Sequence, residues 1–208
     1  MSTNAGPNPA PDHGASDHAG RRGPRDRMIR HAALLIGRHG VGATSIGDVL
    51  AASDAPRGSI YHHFPGGRTQ LMSEAVQHAG NFIAGRLDDQ RSGSVRTAVF
   101  DICNVWRRLL IDSDYRFGCP VLAGGLARDS EPTIADEAEA ILAHWRRIIA
   151  DRLIAEDLSA DRAESLATVI LAAAEGAIAL AQIERSIEPF DRVVTELAAL
   201  CETAATSN

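Results

Sequence analysis

Apolar residues return every three or four positions along most of this chain, the spacing of helices that bury one side. Ile29, Ala32, Ala33 and Ile36 make the first such stripe, in a helix predicted from Pro24 to His39 and stopped by Gly40. Ile46, Val49 and Leu50 make a second, over Ser45 to Ala52. Asp48 follows Ser45 by three residues there, a short-armed capping box. Ser53-Asp54 breaks that helix, and Pro56 suits the first turn of another that continues through Ser59, Ile60, Tyr61 and Phe64. A long helix is expected from about Arg68 to Asp89, with Leu71, Ala75, Phe82, Ile83 and Leu87 inward. A further one follows Ser92-Gly93-Ser94 and holds Val95, Val99, Ile102, Val105, Trp106, Leu109 and Leu110. Past a loop at Asp112 to Asp114 comes the short apolar segment Phe117–Leu122. Three more helices open at Pro132, Ser159 (as N-cap, with acidic Asp161 in the first turn) and Pro189. The expectation is an all-α protein of about nine helices.

The two short helices between Ser45 and Phe64, joined by a tight turn, follow the helix-turn-helix plan, whose second helix enters the DNA major groove. The polar side chains stand where a groove reader needs them: Arg57, Ser59, Tyr61, His62 and His63, with Gly58 allowing close backbone approach. Thr44, Ser45 and Tyr61 offer hydroxyls to phosphate, and Arg68 brings a charge to the start of the next helix. Arg57, Ser59, His62 and His63 are candidates for base edges or for phosphate, Arg57 being able to engage guanine with two hydrogen bonds. Ile60 and Phe64 are expected in the core. The helix before this pair completes a three-helix module.

The run from Thr44 to Leu71 resembles the DNA-binding signature of the tetracycline-repressor (TetR) family of transcription regulators. The resemblance is carried by Thr44, by Gly58-Ser59-Ile60-Tyr61-His62-His63-Phe64, and by the basic residue and leucine that follow. Three departures mark this chain: Arg68 in the usual lysine position, a connector Pro65-Gly66-Gly67 one residue longer, and Pro56 where many relatives have serine. Gly118-Cys119-Pro120-Val121, His144-Trp145-Arg146, Glu175-Gly176-Ala177 and Glu188-Pro189-Phe190 are similar to a subgroup of lincomycin-resistance and flavonoid-responsive repressors. Together the matches span most of residues 25–200.

Residues 1–22, rich in Pro, Gly, Ala, Asn and His and without periodicity, are expected to form a disordered arm. The resemblance implies a DNA-binding domain over 23–68 and a helical ligand-binding and dimerisation domain over 69–208. It implies a homodimer on a palindromic double-stranded operator, released by a small hydrophobic or aromatic effector. Candidate effector-lining residues are Phe100, Cys103, Trp106, Cys119, Trp145, Ile149 and Glu175. Glu175 stands out as a carboxylate among apolar neighbours, where it needs a partner. The last two long helices carry more apolar and small residues than a peripheral helix needs. Leu166, Ile170, Ala174, Ile178, Ala181, Val194 and Leu197 are the expected dimer contacts.

Composition and charge adjust this picture. Hydrophobic residues make up 45% of the 208 and aromatics only 4%, which favours packed helices. The net charge of −6 looks unsuited to DNA until it is divided along the chain. Eight arginines face four acidic residues from Arg21 to Ala75, whereas thirteen face twenty-one from Val76 onward, and lysine is absent. A basic amino-terminal block on an acidic body suits one module that meets phosphate and one that does not. The arginines at 21, 22, 25 and 27 are placed either along phosphate or in a solvated tail. Cys103, Cys119 and Cys201 are widely spaced, fitting a reducing cytoplasm without disulfides. No uncharged apolar run approaches the ~18 residues of a membrane span. No nucleophile elbow, metal-ligand spacing or phosphate loop is present, so neither catalysis, cofactor nor metal is expected. The remaining alternatives are a thiol redox sensor using Cys103 or Cys119 and a helical interaction module without DNA function.

Overall fold

The computed structural model describes residues 23–56, 58–88 and 93–206. The arm expected over 1–22, and Arg57, lie outside the described residues. Within them the chain is all-helical, with nine helices and no strand.

Helix α1 (Pro24–His39) opens on proline in its first turn and ends where Gly40 takes a φ of 81°, its N–H reaching the carbonyl of Ile36. Helix α2 (Ile46–Ser53) is held at its start by a full capping box. The Ser45 hydroxyl accepts from the Asp48 N–H, and the Asp48 carboxylate accepts from the Ser45 N–H. Asp54, at a φ of 50°, caps its end. Helix α3 (Ser59–His63) is shorter than Pro56 suggests. The Pro56 carbonyl receives both the N–H and the hydroxyl of Ser59, at 2.9 and 2.6 Å, so the chain makes a turn before the helix starts.

Helix α4 (Gly67–Asp88) leaves that turn from a left-handed Gly67 and forms the spine of the molecule, packing on α1 and on α7 (Pro132–Ile154). Gly80 makes the α4–α7 contact possible, because a Cβ there would stand 2.7 Å from Ile141. Beside it the Trp145 indole donates to the Gly80 carbonyl at 3.0 Å and meets Trp106 edge to face. Trp106 lies on α5 (Val95–Asp112), capped by Ser94. The Phe117–Leu122 segment becomes a one-turn helix, α6 (Pro120–Gly125), wedged between α1, α4 and α7. Helices α8 (Ala160–Glu184) and α9 (Glu188–Thr206) close the body against α5 and α7. Ser159 occupies the N-cap position of α8, but its side chain makes no capping bond.

One continuous hydrophobic core runs from Met28 to Cys201. Phe82 departs from its expected inward position: it is 43% exposed, with Arg86 over its ring, because its side of α4 looks into a cleft beside α1. Helix α8 is long and apolar enough by composition to cross a membrane, yet half of its most apolar stretch is buried inside the fold.

Candidate nucleic-acid interface

The α3 helix turns two apolar residues inward and its polar ones outward. Ile60 and the following Phe64 are fully packed, as expected, while Tyr61 is 68% exposed and Gly58 and His62 face solvent. His63 is half-buried, its ring edge against His62 at 5.0 Å. Ser59 is half-buried too, its hydroxyl held by Pro56. Space beyond Gly58 is open, so an approaching backbone or phosphate meets no side chain there. A five-residue helix with an anchored apolar side and four polar groups at its surface is a compact reading head.

Three predicted phosphate ligands are engaged elsewhere. Thr44 is 2% exposed, and its hydroxyl donates to the Gly40 carbonyl at 2.8 Å, closing the loop after α1. The Ser45 hydroxyl is exposed but belongs to the capping box, donating to Asp48 at 2.6 Å. Arg68 donates to the carbonyls of Val41 and Thr44, at 2.5 and 3.2 Å, and pairs with Glu131. Its guanidinium is therefore a brace within the protein and not a free charge at a helix start. Of the arginines at 21, 22, 25 and 27, the two in α1 are engaged: Arg25 pairs with Glu74 over the Phe64 ring and Arg27 donates to the Ser53 carbonyl.

The residues proposed to line an effector site are not brought together. Cys119 and Trp145 border a cleft of about 220 Å³ between α1, α4 and the Phe117–Val121 turn. Phe100 and Cys103 border a separate groove against Phe190 and Val194 on α9. Trp106 and Ile149 are wholly buried in the core. Glu175 lies behind Cys119, with one carboxylate oxygen, Oε1, buried and unpartnered. Burial lifts its carboxyl from the ordinary range to about 7, against the pull of its contact with the Cys119 thiol. Sequence reasoning missed the cleft's α1 wall, Arg30, Leu34 and Arg38. The available signal was Leu34, an apolar residue off the buried stripe.

The expected dimer contacts need the same correction. Leu166, Ile170, Ala174, Ile178 and Ala181 on α8, with Val194 and Leu197 on α9, are at most 5% exposed and pack inside their own chain. A periodic stripe marks the more apolar face of a helix, and on α8 that face is taken by the core. The opposite face still carries Val169, Leu180 and Ile183, 43%, 46% and 78% exposed, and Leu200 of α9 is 40% exposed.

A small helical module with an outward-facing second helix of a helix-turn-helix, joined to a larger helical body, defines a DNA-binding transcription regulator. Residues 29–75 match the tetR family of bacterial regulatory proteins, and residues 96–196 match the carboxy-terminal domain of LmrA/YxaF-like transcriptional regulators. The chain is 43% identical to a helix-turn-helix-type transcriptional regulator of Mycobacterium tuberculosis over 184 residues, 85% of this chain and 93% of that one. It is 28% identical to the transcriptional regulator LmrA of Bacillus subtilis over 174 residues, 79% of this chain and 89% of that one. In structure it is similar to a TetR regulator from Chloroflexus aurantiacus, at 28% identity and a TM-score of 0.68, covering 85% and 92% of the two chains. A regulatory protein TetR from Rhodobacter sphaeroides shares the fold at a TM-score of 0.75 and 20% identity, covering 85% and 97%. The chain belongs to the TetR family and is a DNA-binding transcriptional regulator, not an enzyme.

Proposed function

We propose that the protein is a homodimeric repressor that holds a palindromic operator with its two α3 helices and lets go when a small effector enters the body. In this reading residues 23–68 meet DNA and residues 69–208 bind effector and partner. The observation that carries it is the pairing of two exposed surfaces. One is the polar head of Tyr61 and His62 on α3, with Gly58 open to solvent at its start. The other is the apolar face of Val169, Leu180 and Ile183 on α8 with Leu200 on α9. The α8 positions fall on one side of the helix, together with the small residues Ala172 and Gly176, so a two-fold partner could approach its backbone closely. A dimer would then present two reading helices to successive major-groove faces. Arg57, outside the described residues, is the base-reading candidate on chemical grounds. One relative, at 25% identity over 182 residues, is named as the transcriptional repressor DhaR of a Mycobacterium species, which supports repression as the mode of action.

The test is a mobility shift with DNA from upstream of the protein's own gene, run beside sedimentation of the free protein. A dimer in solution and a shift that footprints as two half-sites one helical turn apart support the reading. A monomer at micromolar concentration, or no shift at low salt, overturns it.

The thiol-sensor alternative is disfavoured. Burial pushes Cys103 up to about 12 and Cys201 up to about 11, and it pushes Cys119 well above the ordinary thiol range. Buried thiols that resist ionisation are poor nucleophiles toward oxidants. Peroxide treatment is expected to leave the mobility shift unchanged.

A further inference from the structure

The cleft beside α1 has no part in the DNA-facing head; it is an apolar concavity walled by α1, α4 and the turn before α6. Leu34 of α1 and Phe82 of α4 line it and are 47% and 43% exposed, so two large apolar side chains on neighbouring helices face the same opening. Its surface is almost wholly apolar, and Trp145 and Cys119 border it deeper in. Its charged lining is one-sided. Arg30 and Arg38 on α1 and Arg116 before α6 border it, and no acidic side chain does among the described residues. On the rim, Arg116 lies 3.9 Å from the Asp114 carboxylate, which also pairs with Arg185, and the Glu175 carboxyl contacts Cys119. An anionic group is therefore drawn to the arginine rim, while an apolar body is welcome between the walls.

We infer that this cleft binds a small amphipathic anion, a flat apolar body between Leu34 and Phe82 with its carboxylate, phenolate or sulfonate on the Arg30, Arg38 and Arg116 rim. A volume of about 220 Å³ is below the ~300–1,000 Å³ of sites for drug-sized ligands, so the occupant is of one or two rings. Guanidinium forks favour such oxyanions over neutral groups of equal shape. This deepens the effector-released reading above and rests on it for the consequence. Helix α1 is one wall of the cleft and the floor of the DNA-binding module, packed on α2 and α4. It is also pinned to the body at Gly37, where a Cβ would stand 2.3 Å from the Gly118 carbonyl oxygen. A ligand that spreads this wall shifts the module relative to the body, with no need for a path through distant helices.

The experiment titrates 2-naphthoate and its neutral isostere 2-naphthamide into the full-length protein by calorimetry, and separately into the DNA complex by mobility shift. One naphthoate is expected per chain, held about tenfold tighter than the amide, the worth of one charge-assisted contact. The double variant Arg30→Gln with Arg38→Gln is expected to erase that preference. Leu34→Trp, at an exposed position, is expected to fill the cleft and abolish binding of both compounds while leaving the helical melt in place. Naphthoate is then expected to reduce the fraction of DNA bound. Equal affinity for the two compounds, binding that survives Leu34→Trp, or no binding at concentrations on the order of 1 mM overturns the inference. A protein that shifts DNA but fails these tests loses only this site. One that binds naphthoate but never shifts DNA loses the repressor reading, since calorimetry reads the cleft without DNA.

Discussion

Arg68 and Glu131 form an ion pair that ties the start of α4 to the start of α7, the two helices with the most extensive mutual packing. The same guanidinium also donates to the carbonyls of Val41 and Thr44, in the loop between α1 and α2. One side chain thus holds the loop that leads into the helix-turn-helix against the body. The forked, planar donor set of arginine suits this triple engagement, which the single ammonium of lysine does not reproduce. The arginine at a usual lysine position follows from this geometry.

Arg68→Ala is expected to lower unfolding stability by about 1–3 kcal/mol, because two carbonyls and a partly buried carboxylate lose their donor. Arg68→Lys should recover less than half of the loss. Urea denaturation measures both. Were Arg68 a phosphate ligand, alanine would leave stability intact and reduce the salt slope of DNA binding by about one. That outcome would refute the brace.

Two helical glycines are expected to respond with opposite signs. Gly37 in α1 abuts the Gly118 backbone, and the carbonyl there cannot yield as a side chain would. Gly37→Ala is expected to destabilise by about 1–3 kcal/mol through forced separation of α1 from the turn. Gly85 in α4 is exposed, with nothing within 4 Å of a would-be Cβ. Gly85→Ala should stabilise by about 0.5–1 kcal/mol, the ordinary gain on replacing glycine in a helix. Thermal melts of the two variants decide the matter, and equal signs would show that the α1 contact is loose.

Much of the fold was legible because its signals are local. The Ser45–Asp48 capping box, the Gly40 stop and the prolines at the starts of α1 and α7 each fix a boundary through neighbours a few residues away. The outward polar side of α3 was legible for the same reason. What could not be read was the allocation of side chains between surfaces. Thr44 and Arg68 have the chemistry of phosphate ligands, but their partners, Gly40, Val41 and Glu131, are set by how loops meet. The α8 stripe identifies an apolar face without saying whether the chain's own core or a second copy covers it. The cleft was invisible because its walls come from α1, α4 and the α6 turn, far apart in sequence.

Tyr61 and Arg57 are expected to fail in different ways on DNA. Tyr61→Phe removes one exposed hydroxyl and should weaken binding to every operator variant by about 1 kcal/mol, as loss of a phosphate contact does. Arg57→Ala should instead relax preference at one position per half-site, at a cost of about 1–3 kcal/mol. Binding to a panel of single-base operator variants separates the two. A uniform loss for Arg57→Ala, or a changed base preference for Tyr61→Phe, would show the assignments reversed.

Glu175 is expected to make the protein less stable as pH rises. Its carboxyl is held at about 7 in the fold by burial, against an ordinary value of 4.5 in the unfolded chain. Between those values the folded protein keeps a proton that the unfolded chain has released, so unfolding releases a proton and each step up in pH favours it. The penalty is absent below about pH 4.5 and complete above about pH 7, where it is on the order of 3 kcal/mol. Glu175→Gln removes the titration while keeping the shape. The variant should therefore match the wild type near pH 4.5 and exceed it near pH 8. Because other groups titrate over the same range, the quantity to read is the gap between the two proteins in urea midpoint at each pH. A gap that stays constant from about pH 5 to 8 would mean that the buried oxygen has found a cationic partner or water. A gap that opens with pH would mark Glu175 as a carboxyl kept neutral beside Cys119.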